Sequence, residues 1–130
     1  DLLYGDTMIV DGAYQDLHPR RLRPPHQLTQ RSFANGMLIC HQAFIPRRSL
    51  APLYDLRYRY SADYDWCIKI INAIHSQYRI DDYLVNYLNE GVTTRNHRAS
   101  LLERLRIMAR RYGWFTALTR HVSFLFCRQR

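Results

Sequence analysis

Ser61-Ala62-Asp63-Tyr64-Asp65-Trp66-Cys67-Ile68-Lys69-Ile70-Ile71-Asn72-Ala73-Ile74 places two carboxylates where a loop becomes a helix. From Asp63 the apolar positions run Trp66, Cys67, Ile70, Ile71 and Ile74, the i, i+3, i+4, i+7 spacing of one helix face. Ser61 is a suitable N-cap for a helix over residues 62–76. Asp63 falls in its first turn, where the helix dipole favours negative charge, and it lies on the apolar face. Asp65 is offset by two residues, shares a face with Lys69 and Asn72, and reads as solvated. One acid is therefore expected to point inward and the other outward. An inward carboxylate is costly unless it is paired or used. A first-turn setting keeps it ionised, as a base must be; an ordinary capping acid would show the same features.

Upstream, residues 2–10 read as a strand, Asp11-Gly12 as a turn, and residues 13–17 as a short return strand. The proline-rich segment His18-Pro19-Arg20-Arg21-Leu22-Arg23-Pro24-Pro25 reads as a loop. Residues 26–34 suggest a short helix ending near Asn35-Gly36. Residues 37–45 read as a strand carrying Cys40, His41 and Gln42, and Pro46 suits the first turn of a short helix through residue 53. Downstream, residues 79–88 alternate loosely and predict a strand closed by Asn89-Glu90-Gly91. Ser100 and Glu103 have the spacing of a capping box for a helix through Tyr112. Gly113 ends that helix, and residues 114–127 form a last amphipathic one. No internal repeat or low-complexity tract is present.

Bulk properties narrow the class. A chain of 130 residues makes one domain or part of one. Its 47% hydrophobic and 13% aromatic content excludes disorder. No apolar run reaches the length of a bilayer span, and no signal peptide is visible. The chain starts at Asp1 rather than Met, as a piece of a longer protein would. Cys40, Cys67 and Cys127 are odd in number and widely spaced, forming neither a zinc pattern nor a disulfide framework, and read as reduced thiols of a cytosolic protein. Residues 1–94 carry ten Lys/Arg and ten Asp/Glu, whereas residues 95–130 carry nine Arg and one Glu, so the whole +8 excess sits in the tail. Lys69 is the sole lysine. Arginine suits phosphate contact through its planar fork, although a GC-rich genome yields the same bias.

Taken in order, Leu2-Leu3-Tyr4-Gly5-Asp6, His41-Gln42, Tyr54-Asp55, Ala62-Asp63-Tyr64-Asp65 and Glu90-Gly91-Val92-Thr93-Thr94 resemble the second half of a family 2 glycosyltransferase of the bacterial surface-polysaccharide type. The resemblance implies an α/β chain. Residues 1–96 would be the carboxyl-terminal, acceptor-side half of a GT-A catalytic domain, a mixed sheet with helices. Residues 97–130 would be a basic amphipathic helical tail. It implies an inverting transfer of sugar from a nucleotide-sugar donor to a glycan or lipid-linked acceptor in cell-envelope polysaccharide synthesis. Asp63 would be the catalytic base. His41, Gln42, Asp65 and Asp6 would contact substrate, with Asp6 at a strand position that borders the site, or else a turn residue. Thr93, Thr94 and Arg95 would edge the donor phosphates, or simply connect. A divalent metal, manganese or magnesium, would serve the full-length enzyme with ligands outside this chain, since the nucleotide-binding half and its Asp-x-Asp metal motif have no counterpart here. The isolated piece is expected to be inactive and to self-associate. Its expected location is the cytoplasm, at the inner face of the cytoplasmic membrane.

Two non-catalytic classes compete. The +8 charge and ten tyrosines suit a nucleic-acid-binding module, but base-stacking platforms interleave aromatics with arginines, and here the two are segregated, so no nucleic-acid partner is expected. Trp114, Phe115, Leu118, Val122, Leu125 and Phe126 beside arginines suit a helix on an anionic membrane surface, or one packed on the core.

Overall fold

The computed structural model describes residues 1–88 and 96–127, and the side chains of all of these except residues 97 and 123–127. It is mixed α/β. β1 (Leu2–Val10) is the axis of a four-stranded sheet. β4 (Gln77–Leu88) runs parallel to it from Leu2 to Val10. On the other side β3 (Phe44–Pro46) pairs antiparallel with Leu2, Leu3 and Tyr4, and β2 (Asp16–Pro19) with Met8, Ile9 and Val10. The two short strands thus share one edge of β1 end to end. In the gap between them the carbonyl of Thr7 accepts the amide of Arg20 at 2.9 Å. The β1–β4 register slips on both sides of Asp6. At this bulge the chains approach closely: a Cβ on Gly5 would lie 2.7 Å from a Leu84 side-chain carbon, so glycine is the residue that fits.

The helices are α1 (Gln30–Phe33), α2 (Ala62–Ile71), α3 (His97–Tyr112) and α4 (Trp114–Cys127). Leu2 and Tyr4 from β1, Phe33, Ile68 and Ile70 from the first helices, and Ile107 and Met108 from α3 belong to one buried cluster. The tail is therefore part of the same core. Among the described residues no helix is long and apolar enough to cross a membrane.

Several sequence expectations need correction, among them the helix from Pro46 through residue 53, which is a 3-10 turn at Arg48–Leu50 after β3, and the return strand at 13–17, which is β2 and takes in His18 and Pro19. Residues 37–45 are not a continuous strand: the chain turns through a 3-10 turn at His41–Ala43, closed by Ala43 N–H donating to Cys40 O at 2.9 Å, before β3 begins. The helix expected over 26–34 shrinks to α1, because the Gln77 side chain holds both the amide and the carbonyl of Leu28, at 2.8 and 2.9 Å. Thr29 then caps α1 in a reciprocal pair with Ser32. Ser61 precedes α2 but makes no side-chain cap; its hydroxyl donates to Ser100 O at 3.1 Å, and α2 stops at Ile71 rather than residue 76. Ser100 and Glu103 form no capping box, since α3 already starts at His97. Glu103 reaches across instead. Its Oε1 accepts the amide of Arg59 at 2.9 Å, and its Oε2 accepts the amides of Tyr60 and Ser61 at 2.7 and 3.0 Å.

Removing that carboxylate strands three amides at the entrance to α2. Glu103→Ala is expected to cost about 3 kcal/mol, on the order of 10 °C in Tm by thermal circular dichroism, and an unchanged Tm would refute the clamp. Alkali supplies an independent check. Burial pushes the Tyr112 phenol from 10 up to about 12, and Tyr64 is raised further, by burial first and then by Tyr112. Both phenols stay neutral longer in the fold than in the unfolded chain. The stability they lend is complete below pH 10 and lost as pH rises through their folded values. Tyr112→Phe should therefore move the alkaline unfolding midpoint upward in a circular-dichroism pH titration.

Candidate functional site

The 3-10 turn at His41–Ala43 sets the His41 ring against the first turn of α2. His41 Nδ1 lies 3.3 Å from Asp63 Oδ2, with the two side chains 39% and 33% exposed. The other oxygen of Asp63 accepts the Tyr64 amide at 2.8 Å. The carboxylate is thus held from two directions and still reachable from solvent. Cys67, one helical turn further on, is buried; loss of water pushes its thiol well up, with the nearby Asp63 charge and Cys40 adding to the effect. Burial, then Cys67, then Asp63 raises the Tyr54 phenol, so its ring sits in the field of the carboxylate. Tyr54 stacks on Trp66 with centroids 5.3 Å apart, Phe44 meets Trp66 edge-on at 6.0 Å, and the indole N–H donates to Pro52 O at 2.7 Å. A carboxylate, an imidazole and an aromatic wall therefore share one surface.

Behind them lies Arg20. Its guanidinium gives hydrogen bonds to the carbonyls of Leu22, Leu38 and Met37 at 2.7, 3.0 and 2.6 Å. Desolvation lowers its pKa, and Cys40 and Asp63 are among the groups that act the other way. Arg20 is thus a fixed, half-buried positive charge in the field of the carboxylate, and one that sequence reading left in a plain loop.

The two acids of α2 exchange the orientations their spacing suggests. Asp63 is the partly exposed one. Asp65 is the buried one, its side chain 5% exposed, paired with Lys69 Nζ at 2.7 Å and Arg111 at 3.0 Å. The periodicity argument counted one apolar stripe, but Tyr64 and Ile68 are buried too. Tyr64 donates to Phe33 O and lies under the Arg104 guanidinium, 5.4 Å from its ring centroid. Helix α3 covers the flank that looked solvated, and Asp65 is its anchor. A substrate-contacting role for Asp65 has no support in this geometry.

Gln42 is exposed beside His41, and its Oε1 accepts the Cys40 thiol at 3.8 Å. Asp6 lies in mid-strand rather than in a turn. It is buried at the β1–β4 bulge with Arg79 at 3.3 Å and Arg23 at 3.9 Å. Asp55 is turned to Arg57, 2.7 Å away, whose hydrogen bond holds its carboxyl well below the usual range. Thr93, Thr94, Arg95 and the Glu90-Gly91-Val92 stretch lie outside the described residues. The structure thus brings His41 and Asp63 together and leaves Gln42 beside them, while Asp6 and Asp65 belong to other ion-pair clusters. Tyr54 and Trp66 were missed because their meeting depends on how the 51–57 loop returns, which has no periodic signature. Among the described residues no three of His, Cys, Asp and Glu converge as metal ligands would. No family model, curated protein or solved structure matches this chain.

The exchange of roles is measurable in stability alone. Asp65→Asn breaks two ion pairs at a buried position and is expected to cost about 3 kcal/mol in urea unfolding. Asp63→Asn, at a partly exposed position, should stay within about 0.5 kcal/mol of the parent chain. Equal effects would return Asp65 to the solvated surface.

Proposed function

We propose that this chain is the acceptor-side half of an inverting glycosyltransferase of the GT-A type, with Asp63 as its base. The observation that carries the reading is the 3.3 Å contact between His41 and a partly exposed Asp63 in the first turn of a helix. The motif order His-Gln then Asp, and a mixed sheet in front of them, support it. In such a transfer Asp63 accepts the proton of an acceptor hydroxyl while that oxygen bonds to the anomeric carbon. The nucleoside diphosphate leaves from the opposite face with the bonding electrons. His41 fixes the carboxylate's orientation, and the exposed Tyr54 ring offers an apolar face to a sugar. A divalent ion, manganese or magnesium, offsets diphosphate charge in enzymes of this type. The described residues do not fit one, because no three suitable ligands converge among them.

An uncovered sheet face supports the reading of a half-domain. Leu3 pairs with Ile45 on one side and Tyr78 on the other, and all three side chains are exposed. Cross-strand partners share a face, so this is an apolar row across three strands. The nucleotide-binding half is proposed to cover it. Without that half, the row is a ready site for self-association.

In a protein that joins this chain to its nucleotide-binding half, Asp63→Asn should reduce sugar transfer roughly a hundredfold or more, with folding unchanged by circular dichroism. Near-normal turnover would remove Asp63 from the mechanism. The 130-residue chain alone should give no calorimetric signal with UDP- or GDP-sugars and manganese; micromolar binding would mean that the donor site lies within these residues.

A further inference from the structure

Gly113 (φ 84°) breaks the tail and lets α4 fold back on α3. The inner face of α4 is defined by two residues: Ala117 is fully buried, and His121 sets its ring nitrogens 3.1 Å from Ala117 O and Leu101 O. Trp114, Phe115, Leu118 and Val122 then fall on the outer face, and each is more than half exposed. Leu118 and Val122 join Leu102 and Leu105 of α3 in a groove of about 460 Å³ that Arg98 borders. One turn before Leu118, Trp114 closes a second cleft of about 450 Å³ with Arg57, Tyr58, Arg106, Arg110 and Glu103. Arg110 reaches Tyr58 Oη at 3.3 Å, and neither Arg106 nor Arg110 has a carboxylate partner among the described residues. The one acid of the two helices, Glu103, has both oxygens committed to backbone amides.

We infer that this α3–α4 face docks on an anionic bilayer, with lipid phosphates in the Arg106–Arg110 cleft and the Trp114–Leu118–Val122 stripe among the acyl chains. The argument is one of charge and polarity together. A protein surface covering this face would have to supply acids opposite Arg98, Arg106 and Arg110 while also burying large apolar side chains. A membrane interface offers both environments a few ångströms apart, and aromatic rings with arginine stems suit that boundary. Basic residues near an anionic surface add to affinity individually, and salt screens them. The inference stands apart from the glycosyltransferase reading, since it uses no residue of the His41–Asp63 site.

The test is sedimentation of the 130-residue chain with vesicles of phosphatidylcholine alone or mixed with phosphatidylglycerol, at low and high salt. Fluorescence with brominated acyl chains complements it, in a Trp66→Phe background that leaves Trp114 the sole indole. Binding to the phosphatidylglycerol vesicles, weakened by salt, and quenching of Trp114 are expected. Arg106→Gln with Arg110→Gln should weaken binding about thirtyfold, roughly fivefold for each charge. Leu118→Glu should abolish quenching while the circular-dichroism spectrum stays unchanged. Equal pelleting with neutral vesicles, no pelleting, or unquenched Trp114 would overturn the inference. So would a Leu118→Glu variant that turns an oligomer into a monomer without altering lipid binding, since the face would then be a contact between copies.

Discussion

The carboxylate of Glu103 is the point through which the two ends of this molecule are joined. Any α-helix begins with amides that lack an intrahelical partner, and most helices satisfy some of them with a local side chain. Here the chain entering α2 presents Arg59, Tyr60 and Ser61 amides to a residue more than forty positions away. A negative charge at that end is also favoured by the helix dipole. Ser61 adds its hydroxyl to the α3 backbone at Ser100, Arg111 reaches Asp65 one turn into α2, and Tyr112 donates to Gln30 O. These contacts tie α3 to the first turns of α2 and to α1. Asp63, two residues past the clamped amides, inherits its position from them.

Local patterns were legible where the physics is local. Strands β1 and β4, the start of α2, and the break between α3 and α4 at Gly113 all follow from periodicity and from one glycine. Most readings that went astray were decided by a partner distant in sequence, the expected strand over residues 37–45 excepted, where the turn is local. Gln77 takes over the backbone of Leu28 and shortens a helix. Cys40 and Ala43 close a turn inside an apolar run that reads as strand. Glu103 has capping-box spacing to Ser100 yet caps another segment. The faces of Asp63 and Asp65 were exchanged because a hydrophobic stripe marks one contact surface, whereas α2 is sandwiched and has two. The resemblance put His41 and Asp63 in one site, but their contact was not foreseen, since no spacing rule links a 3-10 turn to a helix so far along the chain.

The tail's charge shows how a bulk number divides once a structure is available. A net excess of +8 in one quarter of the chain suggests a uniformly basic appendage. In fact five of the tail's described arginines split into two populations. Arg104 lies over the Tyr64 ring and Arg111 pairs with the buried Asp65; both face α2 and belong to the core's electrostatics. Arg98, Arg106 and Arg110 are exposed, beside apolar side chains that no described residue covers. Arginine does both jobs because its guanidinium is weakly hydrated and planar, so it stacks on a ring as readily as it meets a phosphate.

This division has a geometric consequence. The inward arginines and Glu103 fix α3 to α2, and Arg106 and Arg110 border the same cleft as Glu103, so the outward set is carried on the helix that the clamp holds. A surface that engages the outward set therefore holds α2, and with it the His41–Asp63 pair, at a fixed orientation, with no hinge intervening in α3. If that surface is a bilayer and the proposed transfer takes place at it, an acceptor presented from it meets Asp63 from a constrained direction, and part of the orientational entropy of the encounter is removed before binding. A helix held only by apolar packing could slide or rotate under such a load. The three amides on Glu103 and the buried Asp65–Arg111 pair are directional, and directional contacts about two turns apart on α3 resist both motions.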